Sequence, residues 1–254
     1  MSNEITREVS GATSRERLLA EAFVEMADSL TEEFDVAEFL QSLAVRCVEL
    51  LGVSVAGVLL ADPEGELELV AASGEHVWVL DLFALQREQG PCLDCYHSGV
   101  AHVNIALNGL EANTTWPRFA TRAREAGYTM TQVLPLRQGD QTLGTLNLFQ
   151  AKPRVMGPDE IALAQALADV ATIAILQRRS LEQSEVERGQ LQEALTSRID
   201  IEQAKGVLAE RWKCTVDEAF GALRRHARAN RLRLAECARQ VVAGELDTEG
   251  IRRG

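Results

Sequence analysis

The sequence predicts an α+β domain, with an antiparallel sheet and helices packed on one of its faces, followed by an all-α module of three short helices. Two observations predict the first domain: β-rich runs come in hairpin pairs, and amphipathic helical segments frame them. A third predicts the second module: after a long helical stretch, the chain ends in short apolar stripes with helix-capping residues. A chain of 254 residues has room for two domains.

The composition is that of an ordinary globular protein, with 46% apolar and 25% charged residues. No apolar stretch reaches the roughly 18 residues of a membrane-spanning helix, and the first ten residues, MSNEITREVS, lack the apolar core of a signal peptide. The five cysteines are scattered and odd in number, unlike the disulfide framework of a secreted protein. We therefore expect a cytoplasmic protein with reduced cysteines and no membrane association.

The first domain begins with helices. Residues 1–14 are polar and are expected to be loose. Apolar residues then recur every three or four positions over residues 15–30 and 36–51, which predicts two amphipathic helices. Residues 53–62 and 66–73 are β-rich runs joined by a Pro-Glu-Gly turn, and they predict the first hairpin.

A second hairpin is predicted over residues 130–151, where Gly139 begins the turn between two strand-like runs. Between the hairpins, the pattern indicates a helix over about residues 77–89, a short strand over 102–105 and a helix over 116–126. The predicted order is therefore helices, hairpin, mixed segment, hairpin.

A long helix is predicted to begin at Pro158, because proline is favoured in the first turn of a helix and no later proline interrupts the segment. Its composition changes near residue 177 from Ala, Ile and Leu to Glu, Gln and Arg. We therefore assign residues 15–176 to the first domain and 177–197 to a helical linker. A two-chain coiled coil, and hence a homodimer, is the natural use of such a linker, although Arg188 interrupts the heptad.

The second module is assigned to residues 198–246, with a C-terminal tail at 247–254. Thr215 and Glu218, three residues apart, form a capping box that marks the start of its second helix, and Asn230 is predicted to cap the end of that helix. A third helix follows from about Leu234 to Val242. The predicted inward residues are Ile201, Ala204 and Leu208 in the first helix, Val216, Phe220, Leu223 and Ala227 in the second, and Ala235, Ala238 and Val241 in the third.

The two modules carry opposite charge. Residues 198–254 contain 12 Lys and Arg against 9 Asp and Glu, whereas residues 1–197 contain 14 against 29. The segment RRHARANRLR has five arginines and no acid, and Arg224, Arg228 and Arg231 are spaced to share one side of a helix. A solvated face is the usual explanation of such a row, but the uncompensated density favours a polyanionic partner, because arginine pairs with phosphate through two hydrogen bonds.

Residues 197–242 resemble the ANTAR domain, a three-helix module of bacterial transcription antiterminators. The resemblance rests on Ala204-Lys205-Gly206, on residues 217–220 (DEAF), on Arg224-Arg225 and on Asn230-Arg231. It implies binding of a paired-hairpin RNA in a nascent leader, which prevents a terminator hairpin from forming. The predicted RNA-binding residues are Arg198, Gln203, Lys205, Arg211, Trp212, Lys213, Arg224, Arg225, Arg228 and Arg231.

Trp212 and Lys213 depart from the family pattern, which commonly has a smaller apolar residue and then glycine or a polar residue. Trp212 has two interpretations: its ring completes the small helical core, or it is exposed and stacks on a flipped base.

About residues 30–178 resemble a GAF domain, a small-molecule sensor fold. The resemblance rests on residues 90–99 (GPCLDCYHSG), on residues 116–119 (WPRF) and on the second hairpin, and the whole chain resembles actinobacterial GAF-ANTAR regulators. A ligand pocket would lie between the sheet and the segments of residues 76–128, and the ligand itself stays unidentified. Its candidate lining residues, each of which also suits a core, are Trp78, Phe83, Cys92, Trp116 and Tyr128.

Cys92 and Cys95 form a C-x-x-C motif near His97 and His102, which suits zinc binding or a redox pair. A second ligand pair at zinc-site spacing is missing, so packing thiols are the favoured interpretation, and we predict neither a metal nor a cofactor. No phosphate-binding loop or nucleophile motif occurs, so we expect no catalysis. Two alternatives to an RNA-binding regulator stay open: a DNA-binding helix-turn-helix regulator, and a sensor that acts only through protein partners.

Overall fold

The computed structural model describes residues 35–74, 81–85 and 89–253, together with residues 20 and 24. The chain divides into two units, Met1–Ser180 and Leu181–Gly254. Apart from residues 20 and 24, the predicted loose segment and the predicted helix over residues 15–30 lie outside the described residues.

The described residues of the first unit form a five-stranded sheet in the order β2-β1-β5-β4-β3, with every neighbouring pair antiparallel. Both predicted hairpins are confirmed, because β1 pairs with β2 and β4 pairs with β5. The second hairpin turns at Gly139, whose φ of +59° is a conformation that glycine adopts at no steric cost. The strands are β1 Val55–Ala61, β2 Leu67–Ala72, β3 His102–Ala106, β4 Met130–Gln138 and β5 Gln141–Gln150.

Helix α1, Val36–Leu51, has the bounds that its sequence predicts. The Asp35 carboxylate accepts hydrogen bonds from the backbone N–H groups of Ala37 and Glu38, at 2.7 and 3.0 Å, and so caps the start of the helix. Gly52 ends it in the left-handed conformation typical of a helix C-terminus. The other helices that the structure describes in the first unit are α2 Pro91–Ser98, α3 Leu110–Thr115, α4 Pro117–Glu125 and the first part of α5 Pro158–Trp212, and residues 81–85 are also helical.

Helices cover both faces of the sheet, so the prediction that they pack on one face is wrong. On one face, Leu40 of α1 and Leu167 of α5 share a core cluster with Leu148 of β5. On the other, Phe119 of α4 belongs to a second cluster with Phe149, the next residue of β5. Successive strand residues point to opposite faces, and both of these are fully buried, so the sheet needs cover on each side.

In the second unit, helix α5 continues without a break to Trp212, and its last turns are the first of the three predicted helices. Helix α6, Val216–Ala229, begins at the predicted Thr215–Glu218 capping box and ends at the predicted cap Asn230. Helix α7, Leu234–Ala243, confirms the third. A further helix, α8 Thr248–Arg253, lies in the segment that the sequence analysis assigns to the tail.

The core of the second unit differs from the predicted stripes in helix α6. Val216 is exposed, and Phe220 lies outside the buried cluster, whereas Ala219 and Ala222 are buried in it together with the predicted Leu223. The buried face is therefore rotated from the predicted one toward Ala219 and Ala222, and the two faces share Leu223 and Ala227. The other buried members are Ala204, Leu208, Trp212, Ala227, Cys237, Ala238, Val241 and Ile251.

Candidate nucleic-acid interface

Helix α6 and the turn after it present five exposed arginines. Arg224, Arg225 and Arg228 lie on the helix, Arg231 follows its cap, and Arg233 precedes helix α7. Within the described part of the chain, no acidic side chain pairs with any of these guanidinium groups. Since mutual repulsion of this group is not compensated inside the unit, an external polyanion would be attracted to it.

The turn after helix α6 fixes the backbone of Arg231, the last residue of the arginine row that Arg224 and Arg228 begin. Its φ of +56° is left-handed, a conformation that costs a non-glycine residue roughly 1–2 kcal/mol. The turn is held by the Asn230 side-chain amide, which donates to the carbonyl of His226 at 2.9 Å, and by the backbone N–H of Leu232, which donates to the carbonyl of Ala227 at 2.9 Å. Strain of this kind is typical of functional positions.

Helix α5 contributes other predicted residues. Arg198, Gln203 and Arg211 are exposed on it. Lys213 follows the end of the helix in a left-handed conformation, with a φ of +52°, and pairs with Glu210. Both cations of the second unit that adopt a left-handed backbone therefore lie directly after helices, where glycine is usual.

Lys205 is only 16% exposed and already has partners. Its ammonium nitrogen lies 2.9 Å from both carboxylate oxygens of Glu202 and 5.3 Å from the centroid of the Phe220 ring. The positive charge of Lys205 is thus largely compensated within the unit, unlike the arginines of helix α6.

Trp212 is buried, with 6% of its surface exposed, and belongs to the core of the second unit. Its ring therefore presents no face to a base, and of the two interpretations of this residue the structure agrees with the core role. The indole N–H has no hydrogen-bond partner among the described residues.

In the first unit, the side chains predicted to line a ligand pocket pack against each other. Phe83, Cys92, Trp116 and Tyr128 are all buried members of one packed cluster, whereas Trp78 lies outside the described residues. The Phe83 ring packs so closely over Gly57 that a Cβ added there would lie 2.2 Å from a ring carbon. These side chains build a core, not an open pocket.

Polar contacts hold two members of this cluster. The indole N–H of Trp116 donates to the Asp94 carboxylate at 2.8 Å, and the Cys92 thiol donates to the side-chain carbonyl of Asn147 on β5. Helix α2 is therefore fixed both to the sheet and to the α3–α4 junction.

Burial makes Cys92 and Cys95 poor nucleophiles. It raises the pKa of the Cys92 thiol well above the ordinary range and that of Cys95 to about 12, so neither forms appreciable thiolate near neutral pH. Neither cysteine forms a disulfide. Among the described residues, no group of three or more His, Cys, Asp or Glu side chains is placed to hold a metal ion. The geometry supports the interpretation of packing thiols.

An open cleft of about 430 Å³ lies elsewhere on the first unit, lined in part by Asp62, Tyr96 and Arg179. The sequence does not predict it, because its lining comes from the end of β1, helix α2, the start of β5 and helix α5, which show no shared motif. Its lining is more polar than is usual for small-molecule sites.

The chain thus consists of an α+β unit and a helical unit that carries the arginine row. The chain belongs to the GAF domain family, whose model matches residues 34–176, and an ANTAR domain model matches residues 189–242. This order of domains is that of a GAF-ANTAR regulator, an RNA-binding antitermination protein with a sensor domain.

One solved structure supports the fold of the first unit. The GAF domain of a phosphoenolpyruvate-protein phosphotransferase from Coxiella burnetii is 18% identical, with a TM-score of 0.51, and the match covers 66% of this chain and 96% of that one. The corresponding GAF domain from Acinetobacter is 11% identical, with a TM-score of 0.48 and coverage of 64% and 95%. A comparison with curated proteins finds no match.

Among the described residues, no helix combines the length and apolar character that crossing a membrane requires.

Proposed function

We propose that this protein is a signal-responsive transcription antiterminator that binds a two-hairpin leader RNA through residues 198–246, with the GAF domain as its sensor. One observation carries the proposal: in a protein of net charge −12, five exposed arginines cluster on one module without acidic partners. Arginine suits RNA because its planar fork pairs with phosphate and its face stacks on unpaired bases.

The charge distribution supports binding by this module alone. The strongly acidic first 197 residues repel a polyanion, so attraction is confined to the arginine surface. In this proposal the protein binds RNA and catalyses no reaction. The proposal also places the protein in the cytoplasm, where transcripts are made.

The proposal includes a homodimer formed through the linker. In the second unit, Leu191, Leu195 and Ile199 follow each other at four-residue spacing along helix α5, and their exposed fractions are 72%, 53% and 48%. Such an apolar stripe on a surface helix is typical of a helix that packs against a partner helix. A dimer would present two arginine surfaces, one for each hairpin.

The deciding experiment measures binding of the full-length protein to a two-hairpin RNA and to a DNA duplex of equal length, each at two salt concentrations. A variant with Arg224→Ala and Arg228→Ala, together with each single substitution, is compared with Arg239→Ala as the control for loss of one arginine. Arg239 lies in the same module, but its guanidinium already faces Asp200 and Glu236, at 3.5 and 3.7 Å.

Preference for the RNA, weakened at high salt and lost in the double variant but not in Arg239→Ala, is the expected result. Preference for the duplex would replace this function by DNA binding. Weak binding to both nucleic acids at moderate salt would favour a sensor that acts through protein partners. Sedimentation of the wild-type chain and of Leu191→Glu tests the dimer separately.

A further inference from the structure

Phe220 occupies an unusual position for a phenylalanine in a small helical unit. It is only partly buried, and it does not belong to the core cluster, which takes Ala219 and Leu223 from the same helix. Full burial of an apolar ring of this size would stabilise the unit. The sequence therefore leaves an aromatic side chain at the surface of the module that carries the arginines.

The ring is held beside a cation from the neighbouring helix. The ammonium of Lys205 lies 5.3 Å from the ring centroid and is fixed there by Glu202. Because Lys205 is largely shielded from water, its attraction to the ring is stronger than at a fully exposed site. This contact restrains the Phe220 side chain without burying it in the core.

Phe220 also lies on the same side of helix α6 as Arg224 and Arg228. Arg224 lies one helical turn further along α6 and Arg228 two turns further, so the ring and the two guanidinium groups share one side of the helix. Aromatic rings next to cationic side chains are the combination that binds unpaired nucleic-acid bases, with the ring stacking on a base and the cations on the phosphates.

We propose that the Phe220 ring stacks on an unpaired base in a hairpin loop of the RNA, while Arg224 and Arg228 contact phosphates. This inference rests on the proposed function and names a contact of the same site. It gives the module a reason to prefer loops over regular stems, because bases in a stem are already stacked on each other.

The test uses the full-length protein and a two-hairpin RNA, with Phe220→Leu, Phe220→Tyr and the matched control Val216→Ala. Val216 is an exposed apolar residue one turn before Phe220 on the same helix. Stacking on an aromatic ring is worth roughly 1–3 kcal/mol per base, so Phe220→Leu is expected to weaken binding by about 5-fold or more. Phe220→Tyr and Val216→Ala should stay within about 2-fold of the wild type.

Salt dependence separates stacking from phosphate contact. Phe220→Leu should leave the slope of log affinity against log salt unchanged, whereas Arg224→Ala should make it shallower by roughly 0.7–0.9. Ultraviolet cross-linking of the wild-type complex provides a readout that needs no variant, and it should map a loop nucleotide to the peptide containing Phe220.

Wild-type affinity in Phe220→Leu, or cross-links that map only to other peptides, would overturn this inference and leave RNA binding intact. No binding of the RNA by the wild type would overturn the proposed function as well. A thermal melt of each variant shows whether an affinity loss comes from unfolding. If Phe220→Leu has a lower melting temperature than the wild type, the cross-link and the affinity of Phe220→Tyr decide whether the ring contacts the RNA.

Discussion

Thr215 and Glu218 cap the start of helix α6 reciprocally. The Thr215 hydroxyl accepts a hydrogen bond from the backbone N–H of Glu218 at 3.3 Å, and the Glu218 carboxylate accepts one from the backbone N–H of Thr215 at 2.9 Å. Both N–H groups would otherwise lack a partner at a helix start. Because α6 carries Phe220 and the first arginines of the row, this cap sets where the proposed RNA-binding surface begins.

Replacing Thr215 by alanine should lower the free energy of unfolding of the second unit by about 0.5–2 kcal/mol, because the side-chain acceptor of the cap is lost. Urea denaturation followed by circular dichroism measures the change. Thr215→Ser keeps the hydroxyl and is the control. Equal destabilisation by both substitutions would mean that the threonine methyl group, and not the cap, matters.

The Glu218 carboxylate predicts a pH dependence. Its pKa is lowered, chiefly by the hydrogen bond from the Thr215 backbone, so the folded state favours the ionised form. The stabilisation is therefore present above the ordinary glutamate pKa of about 4.3 and is lost as the pH falls through the lower folded-state value. Denaturation of the wild type and of Glu218→Gln from pH 7 to 3 should show a stability difference that shrinks toward acid. A constant difference would contradict this.

Replacing Arg231 by glycine should weaken RNA binding without destabilising the second unit. Glycine adopts its left-handed backbone without strain, so Arg231→Gly should leave the melting temperature unchanged or raise it while weakening RNA binding. Arg224→Gly is the matched comparison, because it removes the same charge from a helix interior and should cost roughly 1 kcal/mol of stability. Calorimetry and RNA titration of both variants check this. A lower melting temperature for Arg231→Gly would show that its side chain stabilises the fold.

Helix α8 should be needed for the stability of the second unit. Ile251 is 1% exposed and lies in the core cluster, beyond the residues that the ANTAR model matches. Ile251→Ala should therefore cost about 2–5 kcal/mol, the range for truncating a buried isoleucine. Val242→Ala, at an exposed position of helix α7, should cost far less. Similar denaturation midpoints for the two variants would place Ile251 outside the core in solution.

Features set by nearby residues were predictable from the sequence. The Thr215–Glu218 cap and the bounds of helix α1 depend on side chains within three or four positions of the helix ends, so their patterns are readable directly. Helix α8 was missed because six residues are too few to show a helical period.

Features set by distant packing were not predictable. The apolar residues of helix α6 fit two faces that share Leu223 and Ala227, and only the positions of α5 and α7 decide that Ala219 is buried while Phe220 is not. The contact between Phe220 and Lys205 follows from that choice. Likewise, cover on the second face of the sheet comes from short helices whose sequence patterns are weak.

Glu202 should weaken RNA binding in the wild type. Its carboxylate is 58% exposed and holds the ammonium of Lys205, beside the proposed stacking residue Phe220. Glutamine keeps a side-chain oxygen that accepts a hydrogen bond from the Lys205 ammonium, so Glu202→Gln should fold normally. Without the carboxylate, Lys205 is free to pair with phosphate, and repulsion of the RNA is removed. We expect the affinity for RNA to rise several-fold, with a steeper salt dependence because one more cation contacts the RNA.

Glu193→Gln removes the same charge at an exposed position on helix α5 and controls for net charge alone. An equal gain in both variants would show that Glu202 acts only through the overall charge, whereas a gain confined to Glu202→Gln would place the RNA at Lys205.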